Sequence, residues 1–159
     1  MAEPEGDTLA WAYPRLVKLA GALRCSIVVE RMPDGTGGCF IPDLRVIALN
    51  EDNSVNHQVK TLVHELSHAL LRWSIETGEV ELPYSQEELI VESVAYTVCG
   101  SIGLDTSAYS IPYLASWSEQ TPMEIVELCA GWVDQVAKRI EDTIDLPPQP
   151  PVVARALAA

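Results

Sequence analysis

Residues 61–71 read Thr-Leu-Val-His-Glu-Leu-Ser-His-Ala-Leu-Leu, which sets His64, Glu65 and His68 as a His-Glu-x-x-His group inside an apolar run. On an α-helix, positions four apart share a face, so both imidazoles can point at a single Zn2+ ion. Glu65 projects from the next position, within reach of a water on that ion. Zinc lowers the pKa of such a water to about 7, and a neighbouring carboxylate can take its proton as the oxygen attacks a carbonyl. A polar rim on an amphipathic helix could show the same spacing. Against that reading, the chain has three histidines and two of them stand here. The flanks Leu62, Val63, Leu66, Ala69 and Leu70 also imply a buried helix, in which imidazoles need partners.

A catalytic zinc site of this kind needs a third protein ligand. Residues 85–96, Ser-Gln-Glu-Glu-Leu-Ile-Val-Glu-Ser-Val-Ala-Tyr, follow a helical pattern with Leu89, Val91, Val94 and Ala95 as core positions. Glu88 and Glu92 share one face of that helix. One carboxylate can bind the metal while the other accepts a hydrogen bond from the far nitrogen of a liganding histidine. Each has a plainer reading. Ser85-x-x-Glu88 is also a capping box, with Glu88 folded back onto the backbone, and Glu92 can be a surface charge. Apolar neighbours argue for burial of Glu92 more than of Glu87.

His-Glu-x-x-His followed by Glu-x-x-x-Asp/Asn/Glu-x-x-Ala is the arrangement of the gluzincins, and Glu88 to Ala95 match its second element. More closely, the chain resembles the ImmA/IrrE-type metallopeptidases and the peptidase part of ArdC-type antirestriction proteins. The stretches that carry this are Glu87 to Cys99, Gly103-Leu104 and Tyr109 to Trp117, and the similarity covers roughly residues 44–120. The resemblance implies a zinc-dependent endopeptidase with His64, His68 and Glu88 as metal ligands, Glu65 as general base and Glu92 orienting a ligand histidine. It also implies a regulatory substrate, such as a DNA-bound repressor. The alternative is a non-catalytic zinc-binding interaction protein, an antirestriction or regulatory module. Structural zinc sites are closed by four protein ligands and catalytic ones stay open, and no obvious fourth ligand stands in the sequence.

The elements that must position these residues can be read from periodicity and turn chemistry. A helix is expected over 8–23, capped by Asp7 or Thr8. Strands are expected at 26–30, 39–41 and 44–50, with a hairpin turn in the Gly-rich cluster 33–38. The zinc helix follows at 55–73, the glutamate helix at 86–101 and a last helix at 122–142, started by Thr121-Pro122-x-Glu124. The expected fold is α+β and zincin-like: a small antiparallel three-stranded sheet packed on a bundle of four to five helices. Residues 44–50 would be the edge strand that pairs with an extended substrate. Residues 1–145 form one domain, and the Pro-rich segment 146–159 reads as a flexible tail.

Apolar residues make up 48% of the 159 and charged residues 21%, which fits a globular domain rather than a disordered chain. The formal charge of −13 repels phosphate backbones, so no direct nucleic-acid binding is expected. ArdC-type proteins carry a separate single-stranded-DNA-binding domain, and residues 1–43 are too few and too acidic for one. An acidic start without an apolar leader, and no run of membrane length, point to the cytoplasm and away from membranes. Cys25, Cys39, Cys99 and Cys129 lack metal spacing and read as small buried residues, with a Cys25–Cys39 bridge conceivable. His57 could share the face of His64, or simply be solvated in the first turn. An oxyanion donor is needed for peptide hydrolysis, and Tyr113, with Tyr109 as its neighbour in the 109–117 loop, is the first choice.

Overall fold

The computed structural model describes residues 4–75, 81–107, 119 and 121–145. Among them, four helices and three strands follow in the order α1 (Tyr13–Ala22), β1 (Ser26–Glu30), β2 (Gly38–Ile41), β3 (Val46–Asn50), α2 (Val55–Trp73), α3 (Tyr84–Ser101) and α4 (Met123–Ile144). The class is α+β. Residues 146–159, expected as a flexible tail, and residues 109–117, which include Tyr109, Tyr113 and Trp117, lie outside the described residues.

The sheet differs from the all-antiparallel one expected. Its order is β1-β3-β2, with β3 parallel to β1 and antiparallel to β2. The Gly-rich turn at 33–38 closes no hairpin between paired strands; it carries the chain across the place that β3 fills. The tight reversal comes later, at the 3-10 turn Pro42–Leu44, after which Arg45 adopts a left-handed φ of 51°. β3 therefore inserts centrally and is buried over Ile47–Asn50. Its continuous apolar run is what a strand covered on both faces requires. This corrects the edge role expected for residues 44–50, since the strand at the sheet edge that borders the helix of residues 55–73 is β2.

Glycine at position 38 lets β2 approach α2. A Cβ there would lie 2.7 Å from Thr61 Cγ2 and closer still to the carbonyl oxygen of Ala48. Because the second obstacle is backbone, the strand itself must move. Gly38→Ala is expected to destabilise the fold by about 1–3 kcal/mol, read as a lower midpoint in urea unfolding.

Helix α2 begins at Ser54, whose Oγ accepts the His57 N–H at 3.1 Å, satisfying an orphan donor of the first turn. Val59, Leu62, Val63, Leu66, Ala69 and Leu70 are fully buried along it. Helix α3 packs against both α2 and α4, and Ile90, Val91, Val94 and Val98 are buried between them.

Three helix starts differ from the expected ones, α3 beginning at Tyr84 rather than at 86. Helix α1 begins at Tyr13 rather than at 8, with Pro14 in its first turn and no side-chain cap. Residues 7–12 instead make turns, with Ala10 N–H on Asp7 O and Ala12 N–H on Leu9 O. Leu9 and Ala12 are still buried, so the apolar periodicity was real but the backbone was not yet helical. Thr8 accepts from Asn56 Nδ2 instead of capping, and Asn56 Oδ1 receives the Leu9 N–H at 2.9 Å. This clasp pins the segment from Pro4 to Leu9 against the start of α2. Helix α4 starts one residue later than expected, with Pro122 at the cap position and no side-chain cap bond.

All four cysteines are free thiols; Cys25, Cys99 and Cys129 are buried and Cys39 is exposed on β2, which corrects the expectation that all four fill core space. Burial pushes the Cys99 thiol up to about 12 despite the nearby Lys60 charge. No helix among the described residues is long and apolar enough to cross a membrane.

Candidate metal centre

His64 and His68 stand one helical turn apart on α2, with ring centroids 5.3 Å apart. From α3, Glu88 reaches between them: Oε1 lies 2.8 Å from His68 Nε2, and Oε2 lies 3.7 Å from His64 Nε2. One donor atom from each of the three residues falls within 4.8 Å of the others. Two imidazole nitrogens and a carboxylate oxygen form a donor set suited to a divalent metal ion of intermediate softness. Among the described residues it comprises three protein donors, which leaves a corner for water or substrate.

The outer nitrogens are held as well. His64 Nδ1 is 3.3 Å from Glu92 Oε2, and His68 Nδ1 is 2.9 Å from Glu87 Oε1. Each contact favours the tautomer that keeps a proton on Nδ1 and frees Nε2 for a metal. Glu92 is buried on the inner face of α3, rather than being a surface charge. Glu88 does not fold back onto Ser85, because the helix begins at Tyr84 behind Pro83 with no side-chain cap bond.

Glu87 is a partner that sequence reasoning passed over. Its signal was present in the adjacent acidic pair Glu87-Glu88: a helix turns about 100° per residue, so neighbouring carboxylates can address the two sides of one imidazole. Glu87→Gln and Glu92→Gln are each expected to weaken metal affinity about 10–100-fold with the fold retained. Competition against a chromogenic chelator reads this, and unchanged affinity in both variants would remove the orienting role.

The charges explain one another. His68 faces a carboxylate oxygen at each nitrogen, and it can donate to both only as an imidazolium. Burial works against that charge. The hydrogen bonds to Glu87 and Glu88, with the charges of Glu65 and Glu88, outweigh it and hold the pKa up at about 9. The bond from His68 in turn lowers the Glu88 carboxyl against the cost of its burial. Glu65 is raised by burial, opposed by His64 and His68 and assisted by Glu88. A carboxyl moved upward in this way is suited to taking a proton and giving it back.

Two cavities meet at Glu65. One, of about 420 Å3, is bordered by Phe40, His64, Glu65, His68, Tyr84 and Glu88. The other, of about 390 Å3, runs past Gly37, His57, Lys60 and Thr61 to the clasped segment at Pro4 and Glu5. His57 therefore lines the cleft rather than joining the ligand set. β2 contributes Gly38 to both cavities. Phe40 stacks near His68 with a centroid separation of 6.4 Å and meets Trp73 edge-on, and Arg45 lies 3.9 Å over the Trp73 ring.

Tyr113, expected as oxyanion donor, is outside the described residues. Tyr84 is the phenol found at the site, bordering the same cavity as Glu88. Starting the helix at 86 hid it, since only a helix that includes residue 84 puts it one turn before Glu88 on the same face.

The description of the IrrE N-terminal-like domain (Peptidase_M78) matches residues 24–113. An uncharacterized protein of Bacillus anthracis, pXO2-81, is 28% identical over 105 residues, covering 60% of this chain and 18% of that protein. The crystal structure of the Mn(II)-bound antirestriction protein ArdC of plasmid R388 superposes with a TM-score of 0.58 at 20% identity, over 82% of this chain and 52% of that one. Its metal-free form gives 0.53 at 22% identity, over 82% and 50%. At these identities the likeness to ArdC is one of fold. The chain spans less than a fifth of the curated relative and about half of the solved one.

Proposed function

The chain belongs to the Peptidase_M78 family of IrrE N-terminal-like domains, and on that premise we propose that it is a metal-dependent endopeptidase. The observation that carries this is the convergence of His64, His68 and Glu88 donor atoms within 4.8 Å of one another, with Glu65 buried beside them. Zinc is the ion we assign first. Manganese is the second choice, because the ArdC neighbour is described as Mn(II)-bound. Bound there, such an ion supplies Lewis acidity, polarising a carbonyl and acidifying water.

The residues of the chain do the rest. Glu65 takes a proton from the attacking water and returns it to the leaving amine nitrogen. Glu87 and Glu92 keep the two imidazoles turned inward. The outer edge of β2 offers main-chain groups along which an extended peptide can lie, so the edge-strand role passes from residues 44–50 to 38–41. The substrate we envisage is a specific regulatory protein of the cytoplasm, a DNA-bound repressor being the leading type. A chain of formal charge −13 attracts a basic protein of that kind and repels nucleic acid itself.

The test is to load the purified protein with Zn2+ or Mn2+, incubate it with a diverse mixture of synthetic peptides and identify new termini by mass spectrometry. Cleavage that a chelator abolishes and metal restores supports the proposal. Stoichiometric metal with no cleavage favours the second reading, a non-catalytic metal-binding interaction module. The antirestriction description of the ArdC neighbour is the observation behind that alternative.

A further inference from the structure

We propose that Tyr84 is a catalytic residue, its phenolic O–H donating a hydrogen bond to the substrate oxygen that becomes negative during attack. The inference rests on the peptidase reading above. Tyr84 is the first residue of α3, set there by Pro83 in an extended conformation, φ −58° and ψ 147°. It stands one turn before Glu88 on the same helix, and the residue is 74% exposed. Its side chain borders the 420 Å3 cavity together with His64, Glu65 and His68. A side chain anchored at one end of a helix, exposed along its length and tipped by a neutral donor can turn toward an acceptor without disturbing the core.

The chemistry calls for such a donor. As the water oxygen bonds to the scissile carbon, the carbonyl π pair moves onto oxygen and the water proton passes to Glu65. That oxygen then carries a full charge in a site that already holds the carboxylates of Glu87 and Glu88. A positioned hydrogen-bond donor stabilises the charge where it develops. When the C–N bond breaks, the pair returns to re-form the carbonyl, Glu65 passes its proton to the amine, and Tyr84 is released unchanged. Arg72 borders the same cavity from α2, a turn beyond His68, whereas Tyr84 stands on the helix of Glu88, one turn before that ligand candidate. Tyr84 therefore offers a neutral O–H in the same cavity as His64, Glu65 and His68, where the anionic oxygen would form.

The experiment compares wild type, Tyr84→Phe and Tyr113→Phe on the peptide cleaved best from the mixture, and on a phosphinic analogue of that peptide as a tetrahedral mimic. For Tyr84→Phe, kcat is expected to fall about 10²-fold, with KM within about twofold and metal content unchanged. Affinity for the phosphinic analogue should fall in parallel. The intact peptide should bind the Glu65→Gln protein equally well with Tyr84 or Phe at position 84. Unchanged kcat and analogue affinity overturn the proposal. So does a loss that excess metal repairs, which would make Tyr84 a support for Glu88, or a loss found with Tyr113→Phe alone. A metal-loaded wild type that cleaves no peptide sinks the peptidase reading itself, and the role of Tyr84 with it.

Discussion

Glu65→Gln is expected to lower peptide turnover about 10²–10⁴-fold, the range for loss of a general acid–base group, while metal stoichiometry stays at the wild-type value. The separation of the two readouts follows from the geometry. Glu65 is not among the three residues whose donor atoms converge, so the ion does not depend on it. Its carboxylate is buried, and burial raises its pKa, which fits a group that must alternately accept and donate a proton. Glutamine keeps the size and the buried place on α2 but can do neither. Purified variant and wild type, each assayed for bound metal and for cleavage of the same peptide, give the comparison. Full turnover by the variant would exclude Glu65 as the base, and loss of metal together with turnover would make it a ligand.

The sequence disclosed most about the parts governed by local rules. His64 and His68 share a helix face because four residues make about one turn, and α2 runs over Val55–Trp73, as the apolar pattern of residues 55–73 implies. Glu88 and Glu92 likewise fall on the side of α3 that meets α2. What stayed hidden was decided by tertiary placement. Nothing local distinguishes a turn that closes a hairpin from one that carries the chain past a strand still to come. The central insertion of β3, and with it the edge position of β2, was therefore not legible. Helix starts failed for a related reason. The Asn56 side chain claims Thr8 and the Leu9 N–H, a competition between segments far apart in the chain. The role of Glu87 was hidden because its donor, His68 Nδ1 at 2.9 Å, belongs to another helix.

That contact sets a second large effect, the competition between proton and metal at His68. In the metal-free protein, a proton on Nε2 bridges to Glu88 Oε1 at 2.8 Å, on the very nitrogen a metal must use. With the pKa held at about 9, binding at lower pH must expel that proton, while the proton on Nδ1 stays with Glu87. Apparent metal affinity is therefore expected to rise about tenfold per pH unit between roughly pH 6.5 and 9 and then flatten, a change of about 10²-fold or more over the window. The sign for the metal-free fold is opposite. His68 has a folded pKa above its ordinary value of 6.5, so its contribution to stability is complete below pH 6.5 and is lost as pH rises through about 9. Raising the pH should thus loosen the metal-free protein while strengthening its hold on the ion. Calorimetric titration of Mn2+ in buffers of different ionisation enthalpy counts the protons released. About one proton per metal at pH 7, falling toward none above pH 9, is the expected result. Release of none at pH 7 would mean that His68 is neutral before the metal arrives, and that Glu87 and Glu88 do not hold it charged.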